Sequence, residues 1–378
     1  MSKHYDCIVI GAGGVGSATL CHLALRGKKV LGIDRFLPGH DRGSSHGESR
    51  IIRLAYMEHP SYVPLLERAF ELWEELGRDR GRQLYFQTGL IVGATPGRPV
   101  VQGVLESARL HGLEVEELSS SEVTKRFPGF RLPDDMKAVF EARAGYLLVE
   151  DCVVAHLERG IENGAELRTG EEVLEWRATA NGAGFVVVTD QGEYTSEQLV
   201  LTVGAWAPDL LSGLSVPFRV LRKPLFWYRT REAVYRADHG APAYFFDTPE
   251  GEYYGLPEIC DGEIKVAEHS GGEEVEDPLT VDRGLRKEDQ ERIEAFLGAT
   301  MPAVELECLR HVVCLYTVTP DSHFIVDRHP GYPGAVIAAG LSGHGFKLAA
   351  VLGEALADLV TRGDTDLPIG FLGLGRFQ

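Results

Sequence analysis

Near its N-terminus the chain runs Cys7-Ile8-Val9-Ile10 straight into Gly11-Ala12-Gly13-Gly14-Val15-Gly16, and a second apolar run, Val30-Leu31-Gly32-Ile33, ends on Asp34. The order is strand, glycine turn, helix, strand, acid. Gly11 permits a tight turn, Gly13 and its neighbour Gly14 leave backbone amides open to a pyrophosphate, and Gly16 lets the helix lie close on the strand. A phosphate then meets the positive end of a helix, and Asp34 falls where a carboxylate accepts hydrogen bonds from ribose hydroxyls. Ala18, Leu20, Leu23 and Leu25 supply apolar surface for the crossover helix. A chemically silent glycine turn would not need the second strand or the acid at its end.

At 378 residues the chain has room for two domains. A net charge of -18 repels phosphate backbones and anionic lipid, which disfavours nucleic acid and membrane surfaces as partners. Six cysteines are scattered without a C-x-x-C pair, and the N-terminal residues do not read as a secretory leader. The expectation is a monomeric, cytoplasmic protein with free thiols. The uncharged stretch Cys7 to Leu25 holds four glycines and His22, so it reads as a nucleotide turn and not as a membrane span.

Beyond a polar stretch from Pro38 to Ser49, the spacing of Leu66, Phe70 and Trp73 predicts a helix that Gly77 would stop. Strands are predicted at 84–92 and 138–149 with a helix near Gln102–His111 between them, then a helix at Cys152–Gly164 and strands at Phe185–Val188 and Gln198–Val203 before Gly204-Ala205-Trp206. From Val216 to Arg310 the runs Leu225–Tyr228, Tyr244–Phe246, Tyr253-Tyr254 and Ile264–Val266 suggest an antiparallel sheet, with a helix near Glu288–Leu297. Ala335–Ala339 is a buried strand, and Leu348 to Val360 carries a long apolar face. Between these two lies a second glycine-rich junction, Gly340 to Lys347. The nucleotide domain is therefore expected to be assembled from discontinuous segments: 1–83, 150–215 and 321–362, leaving 84–149, 216–320 and 363–378 to a substrate domain.

Arg53 and Lys347 each follow a glycine-rich turn. A small carboxylate in a partly dry pocket needs a planar bidentate donor and a second cation, although two solvated cations in unrelated salt bridges fit the sequence as well. Cys314 follows Arg310 and His311, which would favour its thiolate; a lone Cys in an apolar strand is otherwise a small core residue. Lys265 lies opposite Ile264 and Val266, a position that usually faces solvent. Tyr254 and His269 read as core or surface residues unless their sheet faces a cofactor. No zinc spacing and no G-x-S-x-G are present, so metal and serine hydrolase chemistry lack support.

Taken together, the N-terminal fingerprint with Asp34, the block Gly43-Ser44-Ser45-His46-Gly47-Glu48-Ser49-Arg50-Ile51-Ile52-Arg53, Gly204-Ala205-Trp206, Tyr253-Tyr254-Gly255, Cys314-Leu315-Tyr316-Thr317 and Gly340-Leu-Ser-Gly343-His344-Gly345-Phe346-Lys347 resemble, nearly end to end, the monomeric sarcosine oxidase and N-methyl-L-tryptophan oxidase family. The resemblance implies an α/β fold: a Rossmann-like FAD-binding domain of discontinuous segments plus an α+β substrate domain with an antiparallel sheet. It implies FAD held by Gly11, Gly13, Gly14, Gly16, Asp34, Ser44, Arg50, Gly204, Trp206, Gly343, Gly345 and Lys347, with a thioether from Cys314 to the flavin. It matches Arg53 and Lys347 to a substrate carboxylate clamp, Arg50 to an arginine beside the flavin, and Lys265 to the lysine that promotes reaction of reduced flavin with oxygen. Tyr254, His269, Tyr316, His344 and Phe245 match pocket positions. The implied reaction oxidises an N-methyl or cyclic amino acid to an imine and yields hydrogen peroxide. A dehydrogenase with a non-oxygen acceptor and a non-catalytic flavin-binding protein are the alternatives. In the family the first block reads Gly-Ser-His-His-Gly; here Ser45 replaces the first histidine and His46 keeps the second. Tyr244-Phe245-Phe246 is more aromatic than the family pattern, so Phe245 either narrows the site toward sarcosine or offers a ring to cyclic and aromatic substrates.

Overall fold

The computed structural model describes residues 3–180, 182–260 and 262–377. Lys3–Ile10 forms the central strand of an eight-stranded sheet, flanked in parallel by Val30–Asp34 and Gly192–Leu201. Glu166–Thr169 extends the sheet beyond Val30–Asp34, and Tyr332–Ala339 pairs in parallel with the end of Gly192–Leu201. These strands come from far apart in the chain, and the helices between them bury their faces as parallel sheets require. The helix Gly14–Leu25 is buried almost all round because it is covered by Val149–Glu162 and Ala349–Arg362 as well as by the sheet.

Gly16 has no room for a side chain: a Cβ there would stand 1.8 Å from the Gly11 carbonyl oxygen. Gly11 itself has φ +86°, a conformation that only glycine adopts without strain.

A nine-stranded sheet makes the second layer, with Arg219–Thr230 paired along its length to Val304–Val318 and also to Glu263–Glu268. Gly251–Cys260, Ala243–Thr248, Leu90–Ala94, Lys137–Glu141 and Glu116–Ser119 continue it. The Ala243–Thr248 strand lies parallel to Leu90–Ala94, so the sheet is mixed and not wholly antiparallel. A small sheet of Ser49–Ile52, Gly145–Leu148 and Tyr85–Gln87 carries Arg50.

Several expected elements are redrawn. The apolar run at 84–92 is two strands that part at Gly89 and enter different sheets, and 138–149 splits the same way. The helix Val63–Arg80 passes through Gly77 and stops at Gly81, which has φ +58°. Gly77 serves close packing instead, since a Cβ there would meet the Arg82 carbonyl oxygen at 2.8 Å. Residues 363–377, expected with the substrate domain, place Leu372 and Leu374 in the apolar clusters of the first sheet. No helix among the described residues is long and apolar enough to cross a membrane.

Candidate active site

A long cleft runs along the carboxyl ends of the first sheet, where open α/β sheets bind their ligands. Gly11, Gly13, Gly14, Asp34, Ser44, Arg50, Gly204, Trp206, Gly343 and Gly345 all line it. At one end Asp34 is fixed by two backbone amides, accepting from Ala12 at 2.7 Å and from Phe36 at 2.9 Å. The helix that starts at Gly14 has no side-chain cap and no acid in its first turn, so its positive end faces the cleft nearly bare. Ser45, at the position of the missing histidine, accepts the Gly14 amide at 3.1 Å. Gly16 stands behind the turn and does not line the cleft. Trp206 lines the cleft and has a buried indole N–H with no partner. A helix terminus whose first amide is met by Ser45 alone and a carboxylate at the end of the second strand fit the phosphate and ribose of FAD.

A second, smaller cavity lies beside the cleft, with Arg50, Tyr316, Gly343 and Phe346 as their shared wall. Its walls bring together Arg53, Lys347, Tyr254, His269, Phe245 and His344, all singled out by sequence. Phe245 and Tyr254 face each other across neighbouring strands, and the His269 ring meets Phe245 edge-on at 5.6 Å. Tyr316 approaches His269 from the other side, its hydroxyl 3.4 Å from Nδ1. Lys347 borders this cavity and not the long cleft, which sets it apart from the cofactor-side residues with which it was grouped.

Arg53 and Lys347 are buried, and Glu58 lines the same cavity. Arg53 Nη2 donates to both oxygens of Glu58 at 2.8 Å, while its Nε is buried with no partner. Burial would push Glu58 up, but Arg53, His344 and Lys347 outweigh it and hold the carboxyl at about 2. Lys347 Nζ donates to the His344 carbonyl at 2.6 Å, and burial followed by repulsion from Arg53 pulls it down to about 7. His269 and His344 are pulled down by burial to about 3 and about 4, so both rings are neutral near pH 7. His344 Nε2 stands 3.0 Å from the Ser322 carbonyl, so that nitrogen carries the proton and Nδ1 accepts from the Tyr56 hydroxyl at 2.6 Å.

Between the two cavities lie the remaining predicted groups. Cys314 is fully buried directly behind the lining residues Leu315 and Tyr316. Its cationic neighbour is Arg50, whose Nη2 is 3.3 Å from Sγ. Arg310 and His311, expected beside this thiol, are engaged elsewhere: Arg310 pairs with Glu48 and Glu263, and His311 lies against the Arg283 carbonyl. Lys265 is buried and not solvent-facing, donating to the carbonyls of Gly47 and Ser49 at 2.6 and 2.7 Å. Burial, then Arg50, pushes its ammonium well below the ordinary lysine value. His46 is buried with Nε2 unpartnered, and burial with Arg50 beside it lowers it to about 3.

Sequence reasoning missed Tyr56, Glu58 and Lys223. Glu58 stands five residues after Arg53 in the same loop, so a charge pair was legible there in principle. Lys223 carried no signal, because its partners lie more than forty residues away.

A cleft fit for a dinucleotide, sharing a wall with an aromatic-lined pocket that holds Arg53 and Lys347, is the arrangement of a nucleotide-dependent oxidoreductase. The chain belongs to the FAD-dependent oxidoreductase family, whose family model matches residues 6–359. It is 41% identical over 376 residues to a monomeric sarcosine oxidase of Streptomyces avermitilis, covering 98% of this chain and 97% of that protein. It is 36% identical to an N-methyl-L-tryptophan oxidase of Yersinia pestis, covering 99% of this chain and all of the relative. The fold is shared with NikD, an amino acid oxidase essential for nikkomycin biosynthesis, at a TM-score of 0.87 and 24% identity over 98% of both chains.

Proposed function

We propose that this protein is an oxidase of secondary amino acids, N-methyl or cyclic, with sarcosine the first candidate, and that it releases an imine and hydrogen peroxide. The observation that carries the proposal is the meeting of Arg53 and Lys347 with the ring wall of Phe245, Tyr254, His269 and Tyr316 in one cavity that shares a wall with the long cleft. Arg53 keeps unused donors after pairing with Glu58, and Lys347 lies in the same pocket to take a carboxylate. With the carboxylate anchored there, the aromatic wall confines the amine and its neighbouring C–H toward Arg50 and Tyr316, the residues shared with the cleft. FAD held in the cleft would supply the two-electron acceptor and the route from substrate to oxygen.

Only the neutral amine has the lone pair that an imine requires. The cations around the pocket disfavour an ammonium, and neutral His269 offers an acceptor for the amine N–H. Lys265, held by two backbone carbonyls next to Arg50, is assigned to the oxygen half of the reaction: negative charge developing beside it would draw its proton back. Cys314 is assigned as the flavin tether, supported by its place beside the cleft residues Leu315 and Tyr316 and by Arg50 at 3.3 Å, a cation that favours the thiolate. The protein is read as a cytoplasmic monomer, a setting in keeping with the free thiols of the described cysteines.

The test is to supply sarcosine, other N-methyl amino acids and pipecolate to the flavin-loaded protein and record peroxide. Flavin reduction without peroxide would replace the oxidase with a dehydrogenase. No reduction by any secondary amine would remove the amine chemistry altogether.

A further inference from the structure

Lys223 is a buried cation that the chemistry above does not use. It lies on Arg219–Thr230, whose edge pairs Leu225 with Ala267 and then, further along, Arg222 with Glu273. Residues 268–272 therefore bulge out opposite Lys223 and Pro224. Pro224 has no N–H to continue the ladder. The carbonyls of the bulge turn inward, and Lys223 Nζ donates to His269 at 2.8 Å, Ser270 at 2.7 Å and Gly271 at 3.2 Å. All three ammonium hydrogens are thus spent on one turn. The same ammonium stands 5.1 Å over the Tyr316 ring. Gly271 and Gly272 have φ of +62° and +112°, a backbone that favours glycine. At its other side the turn is tied to the neighbouring strand, where the His269 amide donates to the Glu252 carbonyl at 2.6 Å and the Ser270 hydroxyl accepts from the Glu252 amide at 3.0 Å, so Lys223 holds the half that faces its own strand.

His269 projects into the small cavity because it belongs to this bulge. We propose that Lys223 is a positioning residue of the amine site: it pins the 268–272 bulge and the Tyr316 ring, and so fixes His269 against the substrate amine. Its charge is also the second cause, after burial, of the depressed basicity of His269. The charged or titratable groups facing Lys223 are Glu268, Glu252, Cys314 and Arg292, with His269 and Tyr316 on the pocket side. This inference rests on the amine-oxidase proposal for its kinetic consequence and on geometry alone for its structural one.

Lys223→Met in the flavin-loaded protein tests both. Hydrogen exchange in the peptide spanning 268–273 is expected to speed up about tenfold while the rest of the protein keeps its protection. With sarcosine, KM is expected to rise about tenfold at a nearly unchanged kcat, as lost charge-assisted hydrogen bonds would produce. The acid limb of kcat/KM is expected to move to higher pH, because protonated species in the pocket lose a repelling neighbour. Lys223→Arg restores much of the parent behaviour. If the Met variant comes out without flavin, Lys223→Gln, which keeps a donor and loses the charge, is read by the same criteria. Unchanged exchange at 268–273, or an Arg variant no closer to the parent than Met, overturns the assignment. A parent enzyme that oxidises no secondary amine defeats the functional proposal instead, and the exchange measurement still decides the role of Lys223.

Discussion

Carboxylate binding should be coupled to proton uptake by Lys347. Burial and Arg53 pull this amine from 10.5 to about 7, a depression worth about 5 kcal/mol against the charged form. A carboxylate about 4 Å away returns about 4 kcal/mol at the effective dielectric suited to such sites. The two nearly cancel, so a docking carboxylate restores the ammonium. The ligand prefers the protonated lysine, and above pH 7 the free enzyme must take up a proton to bind it. The dissociation constant of methoxyacetate, which resembles sarcosine without a titratable amine, should therefore rise by up to about tenfold per pH unit between roughly 7.5 and 9. His269, His344 and Glu58 lie at about 3, 4 and 2, so none of them changes charge in that window; Lys223, pulled down to about 8 by burial, does, and the Lys347→Met profile reads its share. Calorimetry in two buffers of different ionisation enthalpy reads the proton directly. Lys347→Met should flatten the profile and weaken binding at pH 7 by about a hundredfold, as loss of a buried charged hydrogen bond does. A parent profile flat from pH 6 to 9, or no proton uptake at pH 8, would refute the coupling.

Other outcomes follow from the same geometry. Acid-denatured parent protein should keep its yellow colour on the polypeptide, and Cys314→Ser should release it to the supernatant. Lys265→Met should slow reoxidation of the reduced enzyme by oxygen about a hundredfold in stopped flow, yet leave anaerobic reduction by substrate within about tenfold. Gly16→Ala places a Cβ 1.8 Å from a backbone oxygen and should yield protein that neither binds flavin nor melts cooperatively. Gly81→Ala meets open space but keeps φ +58°, so it should cost about 1 kcal/mol in denaturant unfolding with activity intact.

The local signals were legible where the physics is local. A glycine turn between a strand and a helix, an acid at the end of the second strand and the apolar face of Ala349–Arg362 each depend on neighbours a few residues away. They marked the strand, turn, helix and acid that border one part of the long cleft. Apolar run length was a poorer guide. The stretch 84–92 has one composition but serves two sheets, because the choice to part at Gly89 is made by the partners each half finds. Gly77 looked like a helix stop, and only the approach of Arg82 shows why glycine is needed there.

Residue type and spacing determined that this chain would hold a dinucleotide at its N-terminal fold, and motif resemblance named Arg53, Lys347, Cys314 and Lys265 as the groups to watch. Tertiary structure alone decided their company. Glu58 occupies Arg53, Arg50 and not Arg310 stands by the Cys314 sulfur, and Lys265 is buried against two carbonyls. Charge and burial act through space over a few ångströms, whereas sequence records only distance along the chain. Groups drawn from opposite ends of 378 residues therefore acquire their chemistry only when the sheets bring them together.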